Sequence, residues 1–429
     1  MFTQRRGENV TSNHETTSRE SATQGSASRG PGALRVGLVG VGQRAYIAHH
    51  VASSDENAVL VAAADTTPEG RGRIAPEFGP GVEVFDSHTA LIEHAELDAV
   101  IVTTPDWTHA EVAIDFLRAG IAVYLEKPLA ITVEDADEVL RTAHETGTKL
   151  YVGHNFRHAA VVRLMHDIIA RGEIGEVKTV WVRHFVGNGG DYYFKDWHAD
   201  RSKTNTLLLQ KASHDIDVVH LLAGAYTTRV VGMGDLVVYG DVVDRDTHEG
   251  ETVHDWFSYD SWPPLTQTRL NPVVDVEDVS MMMMTLSNGV LASYEQCHFT
   301  PDYWRNYTVI GTEGRLENVG DTAGGVVKVW NRRHEAEWQT AGDVEYPIEG
   351  VSTGHEDADV LTMREFLAFV GREKPVTLSP VAARAAVAAG SLAARSLRSG
   401  SQPLDVPALS PELLDHFART TTPAPAAAL

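Results

Sequence analysis

The residues that could do chemistry begin at a glycine turn. Gly40 and Gly42 follow the apolar run in LRVGLVGVGQRAY (34–46), and Ala45 stands where a G-x-G-x-x-G/A pattern has its third small residue. A buried strand that ends in glycines and opens a helix presents free N–H groups at a positive helix end, which can hold a pyrophosphate. The turn alone is equally compatible with an ordinary tight connection. A second apolar run, AVLVAAAD, ends in Asp65, 23 residues beyond Gly42. An acid in that place accepts hydrogen bonds from the adenosine ribose hydroxyls. It could instead merely cap the loop before Pro68. With strand, glycines, helix and acid in register, the dinucleotide reading prevails. An acid there also repels a 2′-phosphate, and Thr66-Thr67-Pro68 follows it rather than an arginine, so NAD is expected in preference to NADP.

The elements that must position these residues alternate. Short apolar strands are expected at 82–85, 98–104, 122–125 and 149–153, with helices at 110–119 and 134–146, a pattern that predicts a doubly wound parallel sheet. Ligands in such sheets sit beyond the carboxyl ends of the strands. Thr103-Thr104-Pro105, Glu126-Lys127-Pro128 and Asn155-Phe156-Arg157 all lie at such ends and should face one crevice.

These segments are recognisable as a set. GLVGVGQRA, VTTPDWTH and YLEKPLA, in this order, resemble the glucose–fructose oxidoreductase/inositol dehydrogenase (Gfo/Idh/MocA) family over about Leu34 to Pro403. The resemblance implies a Rossmann domain (33–157) and a C-terminal α/β domain (158–405) built on a large open, mostly antiparallel sheet. In the family the lysine of the Glu-Lys-Pro motif lies between nicotinamide and substrate, which makes Lys127 a catalytic candidate, and its bond to the proline is often cis. Cofactor-binding candidates on the matching segments are Gly40, Gly42, Gln43, Arg44, Asp65, Thr103, Thr104, Pro105, His109, Glu126 and Lys127.

Beyond Arg157 the pattern changes. A helix is expected at 159–170 and a strand at 177–185, followed by the aromatic-rich GNGGDYYFKDWHADR. Aromatics such as Trp197 could stack on a sugar face or simply cover a domain edge. In TLLLQKASHDIDVVHLLAG, Ser213 reads as an N-cap and Gly224 as the helix end. His214 then lies in the first helical turn. The segment resembles the family's second motif, in which an Asp and, four residues later, a His face the substrate. His214 matches that histidine and Asp217 a further acid, but Gln210 stands in the Asp position and Lys211 follows it. An amide cannot take a proton, so an aspartate–histidine relay is not expected. Asn155, Arg157, Trp197, Gln210, Lys211 and Asp217 are the substrate-binding candidates.

Further strands are expected at 278–286 and 290–299 around the hairpin signal Asn288-Gly289, with others up to residue 348. The run Met281 to Met284 reads as strand and interface packing. Asp235 to Asp260 carries eight acids against one Arg, with His248 and His254 among them; a solvated loop is favoured over a metal site, and no metal is expected. Helices are expected at 355–370 and 380–398, and the family resemblance implies that they pack back on the Rossmann domain. An open sheet of this size needs its outer face covered, which predicts a homodimer or homotetramer.

A net charge of −23 with no basic cluster argues against nucleic acid. No apolar run is long enough to span a membrane, and Arg5-Arg6 is not followed by the apolar segment of an export signal. Cys297 is the only cysteine, so a reducing, cytoplasmic location is expected. Residues 1–32 and the end of 406–429 read as tails.

The expected activity is hydride transfer between a nicotinamide cofactor and a secondary alcohol of a sugar, glycoside or cyclitol. The alternatives are transient oxidation used to cleave a glycoside, as in some relatives of the family, and a sensor that has kept the fold and lost turnover. Gln210 favours the sensor; retention of Lys127 and His214 opposes it.

Overall fold

The computed structural model describes residues 32–54, 56–333, 337–350 and 356–422. The expected N-terminal tail therefore lies almost wholly outside the described residues, as do His355 and the end of the chain from Pro423.

Six strands form a parallel sheet: β1 (Leu34–Val39), β2 (Ala58–Ala64), β3 (Glu83–Phe85), β4 (Ala99–Val102), β5 (Ala122–Leu125) and β6 (Leu150–Val152). Their order, β3-β2-β1-β4-β5-β6, is that of a dinucleotide-binding fold, with the reversal point beside β1. β4 and β5 are buried along their whole length, as strands covered on both faces must be. One covering helix, Val133–Thr146, has Thr132 as N-cap and Gly147 in the left-handed conformation as its stop. The segment after the glycine turn departs from expectation. It is a 3₁₀ stretch, Gln43–His49, before a single α-turn at His50–Ser53.

The second sheet is mixed and has nine strands: β7 (Val177–Phe185), β8 (Thr227–Asp235), β9 (Val279–Leu286), β10 (Leu291–Cys297), β11 (Trp304–Gly311), β12 (Arg315–Val319), β13 (Val326–Trp330), β14 (Val344–Pro347) and β15 (Leu404–Asp405). Their order is β14-β13-β12-β11-β7-β10-β9-β8-β15, and only β7 and β10 run parallel. Asn288-Gly289 does make the β9–β10 hairpin, with Gly289 at φ +84°. The methionine run alternates as a strand dictates: Met282 and Met284 are buried, Met281 and Met283 exposed.

The helix Ser213–Ala223 crosses the inner face of this sheet. It is buried almost all round rather than along one stripe. Ser213 is not its N-cap. A short helix, Leu207–Gln210, runs nearly straight into it, so the hydroxyl that caps the chain's entry is Thr206 and Ser213 is already helical. The helix Glu356–Arg372 packs Met363, Phe366 and Leu367 against the parallel sheet. The alanine-rich helix Pro380–Arg398 serves both cores, with Val387 in one and Ala389 in the other. Its small residues permit close approach: a Cβ on Gly390 would stand 2.5 Å from the Leu208 carbonyl oxygen. The acidic stretch is only partly a solvated loop. Tyr239, Val242 and Leu270 form a small core with Phe194 and Leu207 while the charged groups face outward.

Candidate active site

The glycine turn has two kinds of glycine. Gly40 has φ +88°, and a Cβ there would lie 2.8 Å from the Thr104 nitrogen, so the turn and the neighbouring loop both require its bare backbone. Gly42 is extended, and a Cβ there would meet nothing within 4 Å. The open side of the turn is therefore at Gly42, where a phosphate group can approach the backbone. Thr103 stiffens the turn by donating its hydroxyl to the Gly40 carbonyl oxygen at 2.7 Å. Asp65 stands beside it. One carboxylate oxygen accepts from the Val41 N–H at 2.7 Å, the other from the Thr67 N–H at 2.8 Å. Thr67 in turn caps the helix Pro68–Phe78. Gly70 lets that helix settle on the carboxylate, since a Cβ there would fall 2.2 Å from Asp65 Cγ. Gln43 is exposed at the rim. These residues fit a dinucleotide.

Arg44 faces inward. It donates to Glu126 and, through both terminal nitrogens, to Asp359 at 2.7 and 2.8 Å. Asn155 donates to the same Asp359 at 2.6 Å. This cluster ties the glycine turn, the end of β5 and the helix Glu356–Arg372 together. Sequence reasoning missed Asp359 because it lies 315 residues from Arg44. His109 is buried with one ring nitrogen 2.6 Å from the Pro128 carbonyl oxygen and the other 2.8 Å from that of Thr104. It clamps the Thr104-Pro105 loop to the Lys127-Pro128 loop.

Lys127 follows β5, and its bond to Pro128 is cis. Its Nζ donates to the backbone carbonyl oxygen of Gln210 at 3.1 Å. Burial holds the ammonium below the usual lysine range, while Asp106 and Glu126 pull the other way. Gln210 thus meets Lys127 through its backbone. Its side-chain Oε1 is buried without a hydrogen-bond partner among the described residues. His214, one helical turn on, is 6% exposed and lies against the rings of Phe156 and His154 at 5.4 and 6.2 Å.

Lys211 is half-buried, with its ammonium 5.4 Å from the centre of the Tyr193 ring and 5.3 Å from that of Tyr303. Burial, then repulsion from Arg305 and Lys127, pushes it well below the ordinary lysine value. Arg305 lies 5.3 Å from the same Tyr303 ring and 4.1 Å from that of Phe156. Below them sits Asp215, fully buried. It accepts from Tyr307 and Tyr294 and lies 3.0 Å from His184 Nδ1 and 3.3 Å from Arg305 Nε. Burial opposes its charge, but His184, Arg305 and Tyr307 hold its carboxyl below the carboxylate range. Burial, reinforced by Arg305, pushes His184 down to about 3. None of Asp215, His184, Tyr303 and Arg305 stood out in the sequence, because they sit on a helix, on two separate strands and on the loop just before one of them.

The remaining candidates divide. Trp197 packs edge-on against Trp107 of the parallel-sheet side at 5.3 Å. Arg157 and Asp217 bond each other through two hydrogen bonds of 2.6 and 2.7 Å. That pair is committed to the packing of the long buried helix. Among the described residues no group of three or more His, Cys, Asp or Glu could hold a metal, the acidic stretch included.

Comparison with known proteins agrees with the two-domain fold. A family model described as "Oxidoreductase family, NAD-binding Rossmann fold" matches residues 34–154, and its companion, "Oxidoreductase family, C-terminal alpha/beta domain", matches 166–406. The inositol 2-dehydrogenase of Rhizobium meliloti (strain 1021) is 31% identical over 219 residues, 50% of this chain and 63% of that protein. The 1,5-anhydro-D-fructose reductase of Ensifer adhaerens is 29% identical over 258 residues, 60% of this chain and 67% of that protein. The chain thus spans about two thirds of the length of these relatives. A levoglucosan dehydrogenase solved with NADH and levoglucosan shares the fold, with a TM-score of 0.72 at 20% identity, over 88% of this chain and 100% of that one.

Proposed function

The chain belongs to the Gfo/Idh/MocA oxidoreductase family, and on that premise we propose that it oxidises or reduces a secondary alcohol of a sugar, glycoside or cyclitol using NAD. The observation that carries the reading is the contact of Lys127 with Gln210, which holds the Glu-Lys-Pro strand end against the short helix that leads into the helix bearing His214. Inositol and anhydrofructose, named for two relatives, are both polyhydroxylated rings.

Gly40, Gly42, the Val41 region and Asp65 would hold the cofactor, which when bound supplies the hydride acceptor or donor. The chain's own residues manage the proton. Lys127 hydrogen-bonds the reacting oxygen and stabilises negative charge on it. His214, a side chain whose ordinary pKa lies near 6.5, accepts the hydroxyl proton. Gln210 carries none. NAD is preferred to NADP because Asp65 would repel a 2′-phosphate. The nearby arginines do not offset it: Arg71 donates to the Asp65 and Thr66 carbonyl oxygens and Arg73 to that of Val41.

The outer face of the second sheet carries Trp181, Met233, Met281, Met283 and Leu291, each about half exposed or more. A contiguous apolar face of this kind is suited to a second copy of the chain, and a homodimer or homotetramer is part of the proposal. The deciding experiment incubates the protein with NAD⁺ and a panel of sugars, glycosides and cyclitols and follows the absorbance of NADH. If no alcohol reduces NAD⁺ although calorimetry shows NAD⁺ bound, the dehydrogenase reading fails.

A further inference from the structure

Three cations converge on the proposed substrate position, and two of them lack a carboxylate of their own. Among the described residues, Lys127 donates to a backbone carbonyl and Lys211 rests on aromatic rings; neither is in an ion pair. Arg305, 2% exposed, lies 3.3 Å from Asp215, yet its Nε and Nη2 have no hydrogen-bond partner among the described residues. Two buried guanidinium donors without acceptors are costly, about 1–3 kcal/mol each, unless a ligand supplies them. The acids nearby do not fill the gap. Asp215 is already taken up by His184, Tyr294 and Tyr307, and Asp321 accepts from the Arg305 backbone. Asp106 lies on the Lys127 side and is 4% exposed, with burial pushing its carboxyl up toward the neutral form. The Tyr303 ring is shared, 5.3 Å from Lys211 Nζ and 5.3 Å from Arg305 Cζ.

Resting on the dehydrogenase reading above, we infer that the alcohol substrate bears a carboxylate, a sugar acid or carboxylated cyclitol, whose charge seats between Lys211 and Arg305 beside Tyr303. A planar monoanion suits the fork of a guanidinium and the point charge of an ammonium. A phosphate would bring a second negative charge toward Asp215 and Asp321. Arg305 is buried, and the low dielectric around it strengthens the attraction. Lys127 stays with the reacting hydroxyl.

The test titrates the NADH-loaded protein by calorimetry with D-glucuronate, D-galacturonate and D-gluconate, their neutral counterparts, and glucose 6-phosphate. The same compounds are assayed with NAD⁺. At least one acid should bind about 10-fold or more tighter than its neutral partner. Lys211→Gln should abolish that ratio, and Lys211→Arg should restore most of it. No acid outbinding its neutral partner, or the phosphate ester binding tightest, overturns the inference. Neutral sugars oxidised as well as their acids would sink it while leaving the dehydrogenase reading intact. Acids that bind selectively yet never reduce NAD⁺ would do the reverse.

Discussion

The ammonium of Lys127 lies 3.1 Å from the backbone carbonyl oxygen of Gln210, 83 residues further along the chain. Two segments with unrelated local patterns, the end of a parallel strand and a capped helical turn, are held against each other by that bond. Because the acceptor belongs to the backbone, the side chain at position 210 is free to vary without breaking it.

This separates Lys127 from Gln210 in an assay. Lys127→Ala should lower kcat by about 10²–10⁴-fold, since it removes charge stabilisation at the reacting oxygen. Gln210→Ala removes a side chain whose Oε1 has no hydrogen-bond partner among the described residues, and should cost far less. Steady-state kinetics on the best alcohol in the panel decides it; equal losses would mean that Gln210 acts through its amide.

His214→Ala should also lose activity within about 10²–10⁴-fold and flatten the acid limb of the kcat/KM profile. Near-native turnover with an unchanged acid limb would make His214 a packing residue beside Phe156, with the proton passing to Lys127 or Lys211.

Gly42→Val separates folding from cofactor binding. The new side chain projects into open space from an extended backbone, so the melting temperature should hold. NAD⁺ affinity, read by calorimetry, should fall at least about 10-fold from the blocked phosphate approach. Gly40→Ala should instead destabilise the fold itself, given φ +88° and the clash with Thr104. Asp65→Ser should narrow or invert the NAD preference; if the unaltered protein binds NADP⁺ more tightly, the role given to Asp65 is wrong.

Acid should unfold the protein by way of its buried histidines. Burial, reinforced by Arg305, holds His184 down to about 3, and burial holds His220 down to about 4. Both titrate near 6.5 once unfolded, so between those values the unfolded chain binds more protons and stability falls as the pH is lowered. Each group contributes a slope of up to about 1.4 kcal/mol per pH unit in its window. Asp215 acts in the same direction further down, since its depressed carboxyl must be protonated. Urea midpoints measured from pH 7 to pH 4 should decline steadily, and His220→Gln should make that decline shallower. A flat profile would mean that these histidines are solvated in the native state.

Breaking the Arg157–Asp217 pair should cost stability before it costs binding. Asp217→Ala leaves a buried guanidinium without its charge partner, worth about 3–5 kcal/mol. Urea unfolding measures this; a large rise in KM with unchanged stability would return Asp217 to the substrate.

What could be read along the chain was local. The glycine turn, the acid that ends β2, the alternation of strands with helices and the Asn288-Gly289 hairpin each depend on side chains within a few residues of one another, where backbone geometry is decided by propensity and period. So did the expectation that Lys127 and His214 lie at element ends. Only the tertiary structure decided what those ends meet. Ser213 lost its capping place because a second short helix runs in ahead of it. Arg157 and Asp217, both plausible substrate ligands by position, found each other. The charges around the site come from Asp359, Asp215 and Arg305, which are brought together with the neutral rings of His184 and Tyr303 across hundreds of residues by sheet register and helix packing. Electrostatics acts through space, over distances that sequence separation does not measure, and so the charge of the pocket could be known only once the chain had closed around it.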